Sequence, residues 1–508
     1  MLALQAQSPS PPPSLSLAGV LSRHLAAVHA LGASGAPKTL ETSGTLAGLG
    51  ETGTFHYWRD GHSERDDETL GVRTQRTLRT GDREEVRNAN GDVRIIRGVL
   101  AQRQITEDFI DSGDFARHPE DDVLLGPGRT LDGRPIWRLR VTPPGGASYG
   151  VGIDAANWMV DEKAYPDGDG LTVVDYDRYR NVDGALVPFL ERDSNGDRAF
   201  DVTSQVVTAR AGVPIDPAIF APLVSAVIDA PAPLTVPLLS WQGHLFVRGS
   251  ADGQPLTLLL DSGSQSIFLD KAAAQRLGLS VQGSLEIRGA ERTQGGVAAL
   301  DAIAIGGASV PVGVASVVDL TSITYDGKTV DGVLGYPFFA CAEVRIDPEK
   351  MTMTMARPGS LPPLGSPIAV DTDRELPEVD ASINRVRARV LVDTGDTNEL
   401  LVFEAFTQAH PGLIPYARNP RFVQNSGVGG SNTSIPAMVD QLGIGPFMLY
   451  NRYADIILAS KGAFADSEDA GNVGWASLKN FVVTFDLANA TLSLEKTRWF
   501  DEGRGRSP

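Results

Sequence analysis

Leu256-Thr-Leu-Leu-Leu-Asp261-Ser262-Gly263 is an apolar run that ends in a carboxylate, a hydroxyl and a glycine, and Arg387-Ala-Arg-Val-Leu-Val-Asp393-Thr394-Gly395 repeats the arrangement later in the chain. Each reads as a buried strand delivered straight into a tight loop. Downstream, Gly332-Val-Leu-Gly335-Tyr336 in the first unit corresponds to Gly471-Asn-Val-Gly474-Trp475 in the second. The correspondence then continues without a gap. Gly335 precedes Asp347, and Gly474 precedes Asp486, by the same 12 positions, which aligns Phe339 with Leu478, Val344 with Val483 and Ile346 with Phe485. An internal repeat of this kind governs the fold. Each unit has a strand, an Asp loop, a Gly-x-x-Gly loop, a helical turn and a closing hairpin.

The tripeptide Asp-[Ser/Thr]-Gly carries little weight by itself. Asp111-Ser112-Gly113 has the same composition, yet no apolar strand precedes it and no Gly-x-x-Gly follows it, so it reads as a turn. Strand, spacing, downstream loop and duplication together distinguish Asp261 and Asp393.

Working outward from the repeat, six segments are expected. Residues 1–13 are a Pro/Ser-rich leader or the remnant of a secretory signal, which implies a periplasmic or secreted protein. Residues 14–227 form an N-terminal domain. It opens with a helix that carries Leu17, Val20, Leu21, His24, Leu25 and Val28 at helical spacing behind a serine N-cap. Antiparallel strands follow, such as Trp137, Leu139 and Val141 alternating with Arg138 and Arg140, separated by Gly-rich turns. Residues 228–237, with three prolines, are an extended linker. The first lobe covers 238–357, a second linker 358–366, and the second lobe 367–498. The expected class is mainly β: two small β-barrel lobes, preceded by an antiparallel β domain with an N-terminal helix.

Composition narrows the function. A chain of 508 residues has room for about three domains at roughly 100–200 residues each. Lys and Arg number 45 against 63 Asp and Glu, a net charge of −18, and such a surface repels phosphate backbones, so nucleic acid is not an expected partner. The single cysteine, Cys341, cannot build an internal disulfide or a Cys-based metal site. Seven histidines lie scattered, without a His-Glu-x-x-His pair, and His56 and His62 read as surface or strand residues. Asp167-Gly-Asp169-Gly170 and Asp193-Ser-Asn195-Gly-Asp197 lack the glycine and glutamate spacing of a calcium loop and read as acidic turns. No run of apolar residues is long enough for a transmembrane segment.

The paired motifs resemble those of aspartic proteases of the retroviral and pepsin type, most closely two retropepsin-like protomers fused in tandem. The resemblance covers residues 238–496, over half of the chain. It implies a bilobal aspartic endopeptidase with Asp261 and Asp393 as the catalytic pair and a polypeptide substrate. It implies that the Ser262 and Thr394 hydroxyls cross-link the two loops and that Gly335 and Gly474 support them from behind. Because the second carboxylate arrives in the same chain, dimerisation is not required. The chemistry needs no metal and no cofactor: two carboxylates pressed together share one proton, so one serves as general base toward water while the other serves as general acid. Gly263 and Gly395 are expected to permit a tight turn and a close approach of the two backbones.

The resemblance also calls for Gly-rich flaps over the substrate, and the candidates are residues 285–297, with Gly289, Gly295 and Gly296, and residues 425–431, with Gly427, Gly429 and Gly430. One departure stands out. Ser264 follows the first motif, but Asp396 follows the second, and a third carboxylate there either raises the proton affinity of the pair or faces solvent without a role. The N-terminal domain resembles, in architecture alone, the half-barrels of lipoprotein carriers, which implies a hydrophobic or lipid ligand. Two functions therefore stay open: a peptidase, or a non-catalytic peptide- or lipid-binding protein built on a protease-like scaffold.

Overall fold

The computed structural model describes residues 15–33, 37–167, 170–290, 292–416, 420–459, 462–466 and 468–501. The expected leader, residues 1–13, lies outside the described residues, as do Gly168 and Asp169 of the first acidic turn and Glu291 of the first flap candidate. The chain is mainly β, with antiparallel sheets and an N-terminal helix.

Strand Gln254–Leu260 is buried along its length from Leu256 onward, so both its faces pack and its sequence is continuously apolar. It pairs in parallel with the three-residue strand Gly332–Leu334, which pairs antiparallel with Phe268–Asp270. The Asp loop is thus threaded between two strands that reach it from distant parts of the sequence. Ala308–Val318, Arg292–Ile305 and Gln282–Arg288 continue the sheet beyond Phe268–Asp270. His244–Ala251 flanks the other side, and its Ser250 pairs with Ala304, which closes the sheet on itself.

The second lobe repeats this order strand for strand. Glu378–Ile383, Val386–Asp393, Gly471–Gly474, Leu400–Phe403, Phe447–Leu458, Gly430–Ile444 and Val423–Gly427 follow one another, with the same parallel pairings and the same closure between Glu378–Ile383 and Gly430–Ile444. Among the described residues, the first lobe adds Leu239–Trp241 to this sheet and a separate short hairpin, Thr324–Tyr325 with Lys328–Thr329.

A six-stranded sheet joins the lobes. Its centre is two hairpins, Glu343–Asp347 with Thr352–Ala356 and Phe481–Asp486 with Thr491–Lys496, paired through Val344 opposite Phe485 and Ile346 opposite Val483. Leu234–Pro237 and Pro367–Ala369 cap its two edges. Part of residues 228–237, expected as a free linker, is therefore an edge strand. Pro237 is tolerated there because an edge position needs no ladder donor on its outer side. The apolar faces of this sheet and both lobes share one core, in which the Phe339 and Phe485 rings meet edge to face at 5.0 Å.

The N-terminal domain is a 13-stranded antiparallel sheet running from Val93–Ile95 at one edge to Val123–Arg129 at the other. Helix Leu17–Ala30, capped by Ser16, lays Val20 and Leu21 on Trp137, Leu139, Val151 and Ile153. A second helix, Gly98–Asp111, packs beside it. It is not apparent as a helix in the sequence, because its apolar face is narrow: Thr106 and Ile110 are its buried residues. Asp111-Ser112-Gly113 is the turn between this helix and Asp114–Arg117, with Gly113 at a φ of 75°. The domain grips the strand Gln282–Arg288: the Ser284 amide donates to the Leu49 carbonyl at 2.7 Å, Asn195 Nδ2 to Glu286 at 3.3 Å, and Arg288 pairs with Asp167 at 3.7 Å. No helix among the described residues is long and apolar enough to cross a membrane.

Truncating Phe485 to alanine removes a fully buried ring from the sheet that joins the lobes, and a loss of about 3–5 kcal/mol is expected in denaturant unfolding of the two lobes.

Candidate active site

The two Asp loops meet through four hydrogen bonds that exchange partners between the lobes. The Ser262 amide donates to Thr394 Oγ1 at 3.0 Å, and the Thr394 amide donates to Ser262 Oγ at 3.0 Å. Each hydroxyl then donates onward, Ser262 Oγ to the Val392 carbonyl at 2.7 Å and Thr394 Oγ1 to the Leu260 carbonyl at 3.1 Å. Both side chains are wholly buried, so each hydroxyl donates once and accepts once where water cannot substitute.

This exchange sets Asp261 and Asp393 side by side. A Cβ on Gly263 would fall inside the Asp393 carboxyl group, and one on Gly395 inside that of Asp261. The need for glycine is therefore space for the opposite carboxylate. The turn itself requires no left-handed backbone at either residue. Gly335 and Gly474 back the loops in the same way: a Cβ on Gly335 would strike the Ser266 and Ser264 carbonyls, and one on Gly474 those of Asn398 and Asp396. The Tyr336 and Trp475 amides donate to the Ser264 and Asp396 carbonyls, at 2.6 Å each.

The carboxylates are not electrically equivalent. Burial raises the proton affinity of both. Asp261 is held well above the ordinary carboxyl range by burial, then by the charge of Asp393 and the hydrogen bond it shares with that residue, against one amide donor, Gly263 at 3.1 Å. Asp393 accepts from the Gly395 amide at 2.8 Å, the Asp396 amide at 3.1 Å and Asn472 Nδ2 at 2.9 Å, all of which favour its charged form. The shared proton therefore resides on Asp261.

Asp396 lies at the site, half-buried. Its Oδ1 accepts from the Asn398 amide and Nδ2, both at 2.8 Å, while its Oδ2 is shut from solvent without a partner. Burial and then the charge of Asp393 push it up to about 8. Ser264, its counterpart, donates to the Ser266 carbonyl at 3.2 Å.

Both flap candidates are hairpins. Gly289 lies at the tip between Gln282–Arg288 and Arg292–Ile305, and Gly427 pairs with Gly430 across a tip where Gly429 has a φ of 86°. Gly295 and Gly296 sit in the second strand of the first hairpin, opposite Leu285 and Val317. The tips touch, with the Ala290 amide donating to the Val428 carbonyl at 2.8 Å and Asn432 Nδ2 to the Ala290 carbonyl at 2.6 Å.

Two residues at the site escape the sequence reading. Asn472 occupies the place of Val333 in the repeat, and a polar residue in an otherwise apolar Gly-x-x-Gly strand is a signal legible in the alignment of the two units. Burial lowers the proton affinity of His244 and favours the neutral imidazole, against the opposing pull of the Gly395 backbone and the Asp393 charge. Continuing the register of Phe246 opposite Leu259 by two residues brings His244 opposite Asp261. Among the described residues, no group of three or more His, Cys, Asp or Glu side chains is arranged to hold a metal ion.

Two closed lobes of one topology, each offering an aspartate at their junction, define a bilobal aspartyl protease-like unit. Residues 247–338, which hold the first Asp loop and the strand that supports it, match the family described as aspartyl protease. No curated protein matches the chain. Among solved structures, a DUF1329 family protein from Desulfovibrio piger is similar at 16% identity, with 40% of this chain and 97% of that chain covered and a TM-score of 0.28. A putative outer membrane lipoprotein-sorting protein domain from Vibrio parahaemolyticus is similar at 11% identity, covering 40% and 95% respectively, with a TM-score of 0.27.

Replacing Thr394 by valine keeps the shape but deprives the Ser262 amide of its acceptor, and a loss of about 1–3 kcal/mol is expected in denaturant unfolding. Thr394→Ser, which keeps the hydroxyl, is expected to lose less than half of that.

Proposed function

We propose that the chain is an aspartic endopeptidase that hydrolyses peptide bonds with a water activated between Asp261 and Asp393. The observation that carries the proposal is the reciprocal Ser262 and Thr394 exchange, which brings two buried carboxylates together with one shared proton. Asp393, stabilised as the anion by three donors, takes a proton from water; Asp261, which holds the shared proton, gives it to the scissile carbonyl oxygen. Both carboxylates come from one chain. The flap hairpins supply a roof under which an extended peptide lies with water excluded.

A second reading concerns the N-terminal domain. A hydrophobic or lipid ligand there would lie between the sheet and helix Leu17–Ala30, where Leu139, Val151 and Ile153 form an apolar face. Since Val20 and Leu21 already cover that face, such a ligand must displace the helix. Saturable binding of a fluorescent fatty-acid analogue, abolished by Leu139→Glu, is the outcome expected of that reading, and absence of saturable binding counts against it.

For the peptidase, Asp393→Asn is expected to lower kcat/KM by about 10⁴-fold while the chain stays folded. The pH profile of the parent chain should be bell-shaped. Because both carboxyl groups are raised, the acid limb lies above the ordinary carboxylate value of 3.8, and activity persists as pH rises until Asp261 gives up its proton. Peptide-library cleavage read by mass spectrometry over a pH series checks both outcomes. An Asp393→Asn chain that cleaves as well as the parent defeats the assignment.

A further inference from the structure

The lobes share a strand order but differ in what surrounds their aspartates. In the first lobe Phe268 pairs with Val333 on one side and Ser316 on the other; in the second, the equivalent Leu401 pairs with Asn472 and Asp455. Ser264 follows the first Asp loop glycine and Asp396 the second. Three positions that are apolar or hydroxyl-bearing in one lobe are thus two carboxylates and an amide in the other.

Two of these groups adjoin Asp393 directly. The Asp396 amide and Asn472 Nδ2 both donate to Asp393, which fixes the two residues beside the reacting carboxylate. Asp455 accepts from Ser434 Oγ at 3.0 Å, and Ser434 belongs to the strand Gly430–Ile444 of the second flap hairpin. Asp455 lies across Leu401 from Asn472, and its charge acts on Asp396. Asp396 Oδ2 and Asn472 Oδ1 are both closed to solvent and accept no hydrogen bond, and Asn472 is only 2% exposed. No basic side chain among the described residues neutralises Asp396: its hydrogen bonds come from Asn398, and its charged neighbours are Asp393 and Asp455. Buried acceptors without donors are costly when empty and complementary to a group that carries several donors and a positive charge.

We infer that the second lobe holds a specificity pocket for a basic side chain, Lys or Arg, of the substrate, adjacent to the scissile bond and formed by Asp396, Asp455 and Asn472. The inference rests on the peptidase reading above for the presence of a scissile bond. The selectivity is one-sided, because Ser264, Ser316 and Val333 give the first lobe no matching charge. Burial keeps Asp396 protonated up to about pH 8 in the empty cleft, which spares the protein an unpaired buried anion. An entering ammonium or guanidinium group stabilises the anion and draws that proton off.

Two measurements test the pocket and separate it from the peptidase reading. Peptides carrying Lys or its uncharged isostere norleucine at each position flanking the cleaved bond are compared by kcat/KM. At one position, the parent chain is expected to favour Lys by about tenfold or more, and Asp396→Ser, which installs the residue of the first lobe, should bring that ratio close to one. Equal rates for the two peptides at every position, or a ratio unchanged in Asp396→Ser, overturn the pocket. In parallel, non-cleavable reduced-amide versions of both peptides are titrated calorimetrically onto the Asp261→Asn chain. Tighter binding of the Lys peptide, lost in the Asp261→Asn, Asp396→Ser double variant, supports the pocket even where no cleavage is found, an outcome that sinks the peptidase reading alone. Equal affinity for the two peptides overturns the pocket whatever the turnover.

Discussion

Four hydrogen bonds made by the Ser262 and Thr394 hydroxyls, each to a backbone group of the opposite lobe, are the constraint on which the rest of the molecule depends. A hydroxyl is the smallest group that can accept from one peptide unit and donate to another, and here each does both in a fully buried position. Once the two loops are locked, the carboxylates that precede the hydroxyls have no room to separate. The glycines that follow have no room for a side chain, since each faces the other lobe's carboxyl group. One interaction thereby accounts for all three residues of the motif, and for why the motif must occur twice.

A perfectly twofold site would leave the two aspartates interchangeable, with no reason for the proton to favour either. This site is not twofold. Asn472 stands where the first lobe has Val333, and its amide adds a donor to Asp393 that Asp261 lacks. The Asp396 amide adds another. Donors aimed at a carboxylate stabilise its charged form, so the asymmetry favours the anion at Asp393 and the proton at Asp261. The second unit also carries the additional carboxylate of Asp396 where the first has Ser264, so the two lobes differ in charge as well as in donors.

Much of this was legible in the sequence because its determinants are local. The strands that carry the Asp loops are continuous apolar runs, and the 12-residue interval common to both units lies within one contiguous stretch of chain in each. What depended on distant pairing was harder to see. Nothing near Leu234 shows that it will border a sheet built from two hairpins more than a hundred residues downstream. His244 is an ordinary strand residue until the register of its hairpin is known, and which glycine of 285–297 lies nearest the tip is settled only by the pairing of Gly295 and Gly296 with Leu285 and Val317. Helix Gly98–Asp111 buries too few residues for periodicity to reveal it within a β-rich domain. The glycine requirement at 263 and 395 was apparent, but its cause lies across the lobe interface and not in the turn.

The floor and the roof of the cleft differ in how firmly they are held. The floor is fixed by four buried hydrogen bonds and by the paired hairpins beneath them, whose apolar faces merge with both lobe cores. The roof is a contact between hairpin tips: the Ala290 amide on the Val428 carbonyl, Asn432 on the Ala290 carbonyl, and the Ala463 amide on the Gly289 carbonyl at 3.1 Å. Each of these is worth about 1 kcal/mol net, because the freed groups can turn to water, whereas breaking the floor would strand buried donors at about 1–3 kcal/mol apiece. The tips therefore part at lower cost than the two Asp loops. The N-terminal domain biases where that parting occurs: it ties the first flap strand at Ser284, Glu286 and Arg288, so within that hairpin the free travel is concentrated at the tip around Gly289.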